Sequence, residues 1–361
     1  MSMNRYFVYF LIGIAIFQFF SCARQITKPG TGAESIIYPP PPDTARIQFL
    51  TSISGSADIT GNQSAFSKFI LGESSPKPIN KPYGIAISGG KMYVCDLGIN
   101  GLEIIDLTKN TFEYFTPGGK GLLQVPLNCF IDEDSILYVA DGGRMQVVAF
   151  DKNLEFLAAF GEGEKFKPTD VFVHGSKIFV PDMNNNRINV YSKETYSLLF
   201  SFPESDKTAQ DYLFMPTNIC VTDDKVYVSD IGGFDIKIFD LEGKYLKTIG
   251  KHGDRIGQFA RPKGIAVDDN SNLFVVDAGF ENVQIFDKEG NIRMFFGGPY
   301  KGPGDMWLPA KVTISYDKLG FFQKFVDKEF TLKYLIFVSN QFGPDKINVY
   351  GAIRPNTKKT K

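Results

Sequence analysis

Asp96, Asp141, Asp182, Asp230, Asp277 and Asn340 each close a short apolar run, and the first five stand 14 or 15 residues after a proline. Carboxylates and an amide brought together are hard oxygen donors, the chemistry that holds Ca²⁺. A plainer task suits the same residues. An Asp at a strand end accepts hydrogen bonds from nearby backbone N–H groups and shapes the turn that follows. Recurrence in every copy favours the turn, because a site needs asymmetry, and the asymmetry lies just beyond the acids. Arg144 and Arg187 follow two of them, Phe234, Phe280 and Phe342 follow three others, and Tyr300 and Trp307 stand in the loop before the last copy. Arginine beside exposed aromatics is the mixture found in binding hot spots, so these seven are the candidate binding residues.

Other chemistries are poorly served. The chain has two histidines, His174 and His252, too few for a zinc centre with three His ligands. There is no recognisable Ser-His-Asp arrangement, no CxxCH haem motif, and no GxGxxG or GxxxxGK phosphate loop. No catalytic residue, metal ligand or cofactor is assigned. A Ca²⁺-dependent hydrolase or lactonase, or a lyase, with its site in a central channel is the alternative. The net charge of −1 is no footprint for nucleic acid, which demands clustered basic surface. Cys95, Cys129 and Cys220 sit within apolar strand patterns and read as small buried hydrophobes. A bridge between Cys95 and Cys129 is left open by the sequence.

The elements that carry these residues recur. Pro82, Pro126, Pro168, Pro216, Pro262 and Pro309 each precede a short apolar strand, at spacings of 44, 42, 48, 46 and 47 residues. A second strand ends at the acid or amide, a third follows a brief turn, and a fourth completes each of the first five units. Such runs, rich in Val, Ile and Phe and bounded by Gly, Asp and Asn, are strands. Six units at this period predict an all-β fold, a six-bladed β-propeller of four-stranded blades. The sixth unit lacks a fourth strand, and residues 46–53 resemble one. The expectation is that this N-terminal strand completes the last blade and closes the ring, removing an open edge. An apolar insertion at 317–333 in the sixth unit is read as a longer hairpin packing on its own blade, with an extended hairpin or a docking element as the other reading.

The N-terminus reads as an export signal. Arg5 precedes an apolar run over residues 6–20, short for a spanning helix and suited to a signal peptide. Ser21-Cys22 resembles the cleavage site of bacterial lipoproteins, which implies a lipid on Cys22; ordinary secretion and an uncleaved anchor are the other readings. The expected organisation is a signal peptide (1–21), a Pro-rich tether (22–44), the propeller (45–353) and a basic tail (354–361).

The motif Tyr-Val-x-Asp, a short turn, then x-Ile-x-Val-Phe resembles the NHL repeat, best matched by residues 178–191. The resemblance spans about residues 45–351 and implies an exported propeller lipoprotein, expected to be a non-catalytic binding or scaffolding module. Its expected partner is a protein, peptide or glycan outside the cytoplasm. The propeller is expected to be monomeric and tethered to a bacterial membrane, the outer membrane by preference because Ala23 rather than Asp follows Cys22.

Overall fold

The computed structural model describes residues 35–61, 75–161 and 165–356. The segment read as a signal peptide, Cys22, most of the expected tether and the end of the basic tail lie outside these residues. Among the described residues no helix is long and apolar enough to cross a membrane.

The chain is a six-bladed β-propeller. Five sheets have four antiparallel strands and the last has five. Blade one runs Pro82–Ser88, Lys91–Asp96, Gly101–Asp106 and Thr111–Phe115 from the central channel outward. Blades two to five repeat this order, with inner strands Pro126–Ile131, Phe172–His174, Pro216–Val221 and Pro262–Val267. Blade six takes its three inner strands from Pro309–Ser315, Phe330–Asn340 and Ile347–Pro355. Its fourth strand is Ile47–Ile53, which pairs with Ile347–Pro355 and so closes the ring as the sequence predicts. A further strand, Ile37–Tyr38, pairs outside it, within the segment read from sequence as tether. Tyr38 Oη donates to the Gly304 carbonyl at 3.1 Å, tying this added strand to the loop before blade six.

The core is six apolar clusters, each lying between two adjacent blades. One joins Val94 and Ile105 of blade one to Leu335 and Val349 of blade six across the closure. Another joins Cys95 to Cys129 and Phe150. Both cysteines are free and fully buried in apolar surroundings, as is Cys220. Burial pushes the Cys95 thiol well up, and its Cys129 neighbour adds to the effect, so this thiol is held away from the reactive thiolate form.

The apolar insertion of blade six is not a free docking element: residues 330–333 lengthen the hairpin of strands Phe330–Asn340 and Ile347–Pro355, and the remainder packs on its own blade. It forms a one-turn helix, Leu319–Phe322, followed by a short 3₁₀ turn. Phe322 is fully buried, 5.7 Å from the Phe337 ring of its own blade.

One irregularity positions the channel. In blades one, two, four, five and six the inner strand shifts register just after its proline. In blade three Pro168 makes only an isolated bridge to Asp182, and pairing resumes at Phe172. Such bulges re-aim side chains. Here they fall on the one or two residues after the proline and help to set the residues that follow it around the channel.

Candidate binding site at the channel mouth and top face

Call the top face the one where the loops into the inner strands meet the turns between second and third strands. The acid ring lies beneath it. Asp277 accepts the backbone N–H groups of Ala260 (2.8 Å), Arg261 (3.0 Å), Gly279 (2.8 Å) and Phe280 (3.2 Å). Asp96 does the same for Asn80, Lys81 and Gly98, Asp141 for Gln124, Val125, Gly143 and Arg144, and Asp230 for Phe214, Met215 and Gly232. Asp182 holds Lys167 N–H and the amide of Asn185, and Asn340 receives Trp307 N–H while donating to the Asp345 carbonyl. Each buried acid thus staples the loop entering its blade to the turn leaving the second strand. The ring is architectural.

The seven candidate binding residues do not form one divided rim. Arg144 donates to the carbonyls of Lys120 (2.8 Å) and Leu122 (2.7 Å) and to Gln146, so its guanidinium braces a loop. Arg187 Nε lies 3.8 Å from Asp182. The phenylalanines occupy different turn positions. Phe234 stands four residues after its acid in the left-handed region (φ 57°), as do Asn100, Met145, Asn186 and Glu281 in their blades. Its ring packs edge-on to His252 at 4.5 Å. Phe280 stands three residues after its acid and lines a separate hollow of about 330 Å³ with Ile256, Phe295 and Pro299. Only Tyr300, Trp307 and Phe342 come together. Tyr300 stacks on Trp307 at 5.9 Å and donates to Asp345, while Phe342 N–H reaches the Trp307 carbonyl and its ring faces the Lys81 ammonium at 5.5 Å.

The exposed apolar surface of the top face is wider than the sequence suggested. Leu122, Val125, Met145, Phe214, Met215, Ile256, Trp307 and Phe342 are 39–60% exposed, and all lie in its loops. Phe214 and Met215 were missed because they precede Pro216 in a loop, where no strand periodicity marks them.

The channel mouth was also missed. The residues one past each proline are Tyr83, Leu127, Thr169, Thr217, Lys263 and Ala310. Four of them line a cavity of about 340 Å³ with Val125, Gly142, Lys167 and Met183. The next layer down is Gly84, Asn128, Asp170, Asn218, Gly264 and Lys311. Gly84 and Gly264 are required there, since a Cβ would meet the backbone of Asn128 at 2.5 Å or of Lys311 at 2.4 Å. Across this layer Lys311 Nζ reaches Asp170 at 2.6 Å, joining blades three and six through the channel. Asp170 also accepts from Asn218 (3.1 Å) and from the Ile219 and Val171 N–H groups (3.2 and 2.9 Å). Lysines at two inner-strand positions where no other blade carries one were the available signal.

Calcium takes six to eight oxygens. Asp170 in the channel and the ring of acids above it are already engaged by protein donors, so these residues do not fit a Ca²⁺ centre. Among the described residues no group of three or more His, Cys, Asp and Glu side chains is placed to hold a metal.

The comparisons agree with this architecture. Residues 207–292 match the DUF5128 family, described as a 6-bladed beta-propeller. Over 140 residues, 38% of this chain and 13% of the relative, the sequence is 31% identical to Protein brain tumor of Drosophila melanogaster. Over 93 residues, 25% of this chain and 24% of the relative, it is 29% identical to E3 ubiquitin-protein ligase NHLRC1 of Homo sapiens. The matches thus span about a quarter or less of those proteins. Among solved structures, a streptogramin B lyase superposes with a TM-score of 0.53 at 14% identity, covering 77% of this chain and 84% of that one. A gluconolactonase from Xanthomonas campestris gives 0.55 at 13% identity, covering 91% and 100%. At such identities the likeness is one of fold, which hosts many functions. The chain is a six-bladed β-propeller with NHL-repeat proteins among its homologues.

Proposed function

We propose that this propeller is a non-catalytic binding or scaffolding module, held outside the cytoplasm by a lipid on Cys22, that presents its top face to a protein, peptide or glycan partner. The observation that carries the reading is the asymmetric apolar surface of that face. Of the large apolar side chains exposed among the described residues, eight lie in top-face loops, contributed unequally by blades two, four, five and six. Five others, Leu157, Leu198, Leu199, Leu246 and Phe295, are scattered on outer strands, and Tyr316 and Phe325 lie on the opposite face. Apolar side chains gathered on one face and rimmed by Lys and Arg mark interaction surfaces. The export signal and Ser21-Cys22 support the lipid tether. The acid ring, committed to backbone N–H groups, supports binding over metal-dependent catalysis.

The test is capture of a partner from native membranes by the full-length chain. Changing Phe214, Trp307 and Phe342 together to Ser is expected to reduce capture at least tenfold, and changing Leu198 and Leu199 to Ser to leave it intact. Retention by the first variant with loss by the second would contradict the reading, as would stoichiometric tightly bound metal in the purified protein.

A further inference from the structure

Lys263 is the exception in the channel. It is only 4% exposed, yet among the described residues its ammonium has neither a carboxylate nor a hydrogen-bond acceptor. Its one close partner is the Tyr83 ring, 4.6 Å from Nζ to centroid. The geometry explains how it gets there. Ala310, the small residue at the same position in the intervening blade, lets the Lys263 side chain pass from blade five toward Tyr83 of blade one. Every other buried lysine in the ring's inner strands is accounted for: Lys311 is held by Asp170 below. Lys81, Lys167 and Arg261 stand around the same mouth, and none makes an ion pair among the described residues. Its Nζ is not fully enclosed and opens on the channel, but an ammonium largely withdrawn from water without a counter-ion is costly, and Arg261 and Lys81 add like charge.

We propose that the channel mouth is a carboxylate site, in which Lys263 Nζ beside the Tyr83 ring takes the anionic end of an amphiphilic acid whose apolar body lies against Leu127 and Met183. Tyr83, Leu127 and Met183 line one cavity of about 340 Å³, and Lys263 extends the ring of positions that forms it. Burial, then Arg261 and Lys81, lower the Lys263 ammonium from its ordinary value to about 7, so a bound anion would favour the charged form. Tyr83 packs on it, and the closed Asp170–Lys311 pair lies near Tyr83. The inference rests on the top face being the binding face, and it names the chemistry of one part of it. The carboxylate has two sources, a free organic acid or the C-terminus of a peptide.

The experiment is calorimetric titration of the full-length chain with hexanoate and hexanamide, and with acetyl-Gly-Leu-Leu as the free acid and as the amide. The acids are expected to bind at least tenfold more tightly than their amides, and Lys263→Met to abolish the difference. Stronger binding of the tripeptide acid than of hexanoate assigns the peptide source, and the reverse assigns the free acid. In the unsubstituted chain, binding of the acid at pH 8 is expected to take up nearly one proton, read from the dependence of the enthalpy on buffer ionisation. Equal binding of acid and amide, acid binding unchanged in Lys263→Met, or no saturation by either acid would overturn the proposal. Partner capture that survives Lys263→Met would separate failure of this site from failure of the top-face reading.

Discussion

Glu103 lies on the third strand of blade one, fully buried, with its carboxyl against that of Asp96. Burial, reinforced by the neighbouring Asp96, raises it from 4.5 to about 10. The native state therefore keeps a proton that the unfolded chain releases near pH 4.5, and stability falls as pH rises from there toward 10. Glu103→Gln is expected to stabilise the protein more at pH 9 than at pH 5 and to flatten that slope in urea unfolding. Lys263 works in the opposite sense. Its lowered value means that stability falls as pH drops from 10.5 through 7, so Lys263→Met should gain most at acid pH. Phe234 gives a third residue-scale expectation. A bulky side chain at φ 57° is strained, and Phe234→Asn should raise the unfolding free energy by about 1 kcal/mol while weakening partner capture. These residues also mark where sequence reasoning works. An Asp recurring at one strand phase was legible as a turn former because the task is local. Lys263 and Glu103 were not, because what sets each apart is its neighbours, the Tyr83 ring for one and Asp96 for the other, and neighbours come from other blades and strands.

At the scale of the element, two devices hold the ring. One is the strand Ile47–Ile53, whose role followed from counting strands per repeat and finding the last unit one short. Its extra neighbour Ile37–Tyr38 was not countable, being two residues long in a Pro-rich stretch. Deleting residues 45–55 removes the outer strand and part of the cluster joining blades one and six, and is expected to abolish cooperative thermal unfolding. An unchanged transition would show that the ring is closed by other means. The second device is the Asp170–Lys311 pair. Asp170→Ala leaves a buried ammonium uncompensated and should cost about 3–5 kcal/mol, whereas Asp170→Leu with Lys311→Met should be neutral or stabilising. Equal losses in both variants, measured by urea unfolding, would contradict this assignment. No periodicity announces such a pair, since its members are 141 residues apart and meet only across a closed ring.

The whole molecule separates what repeats from what does not. The prolines, bulges, stapling acids and inter-blade clusters recur around the ring and make the scaffold, which is why the fold was readable from spacing alone. The top-face loops do not recur, and their exposed Phe214, Met215, Ile256 and Trp307 belong to no shared motif. The most direct test of where function lies replaces Trp307, Phe214, Leu198 and Tyr316 singly with p-benzoylphenylalanine in the full-length chain and irradiates it in native membranes. Binding through the top face predicts a discrete adduct from positions 307 and 214 and none from 198 or 316. Adducts from 198 or 316 alone, or equally from all four, would contradict it.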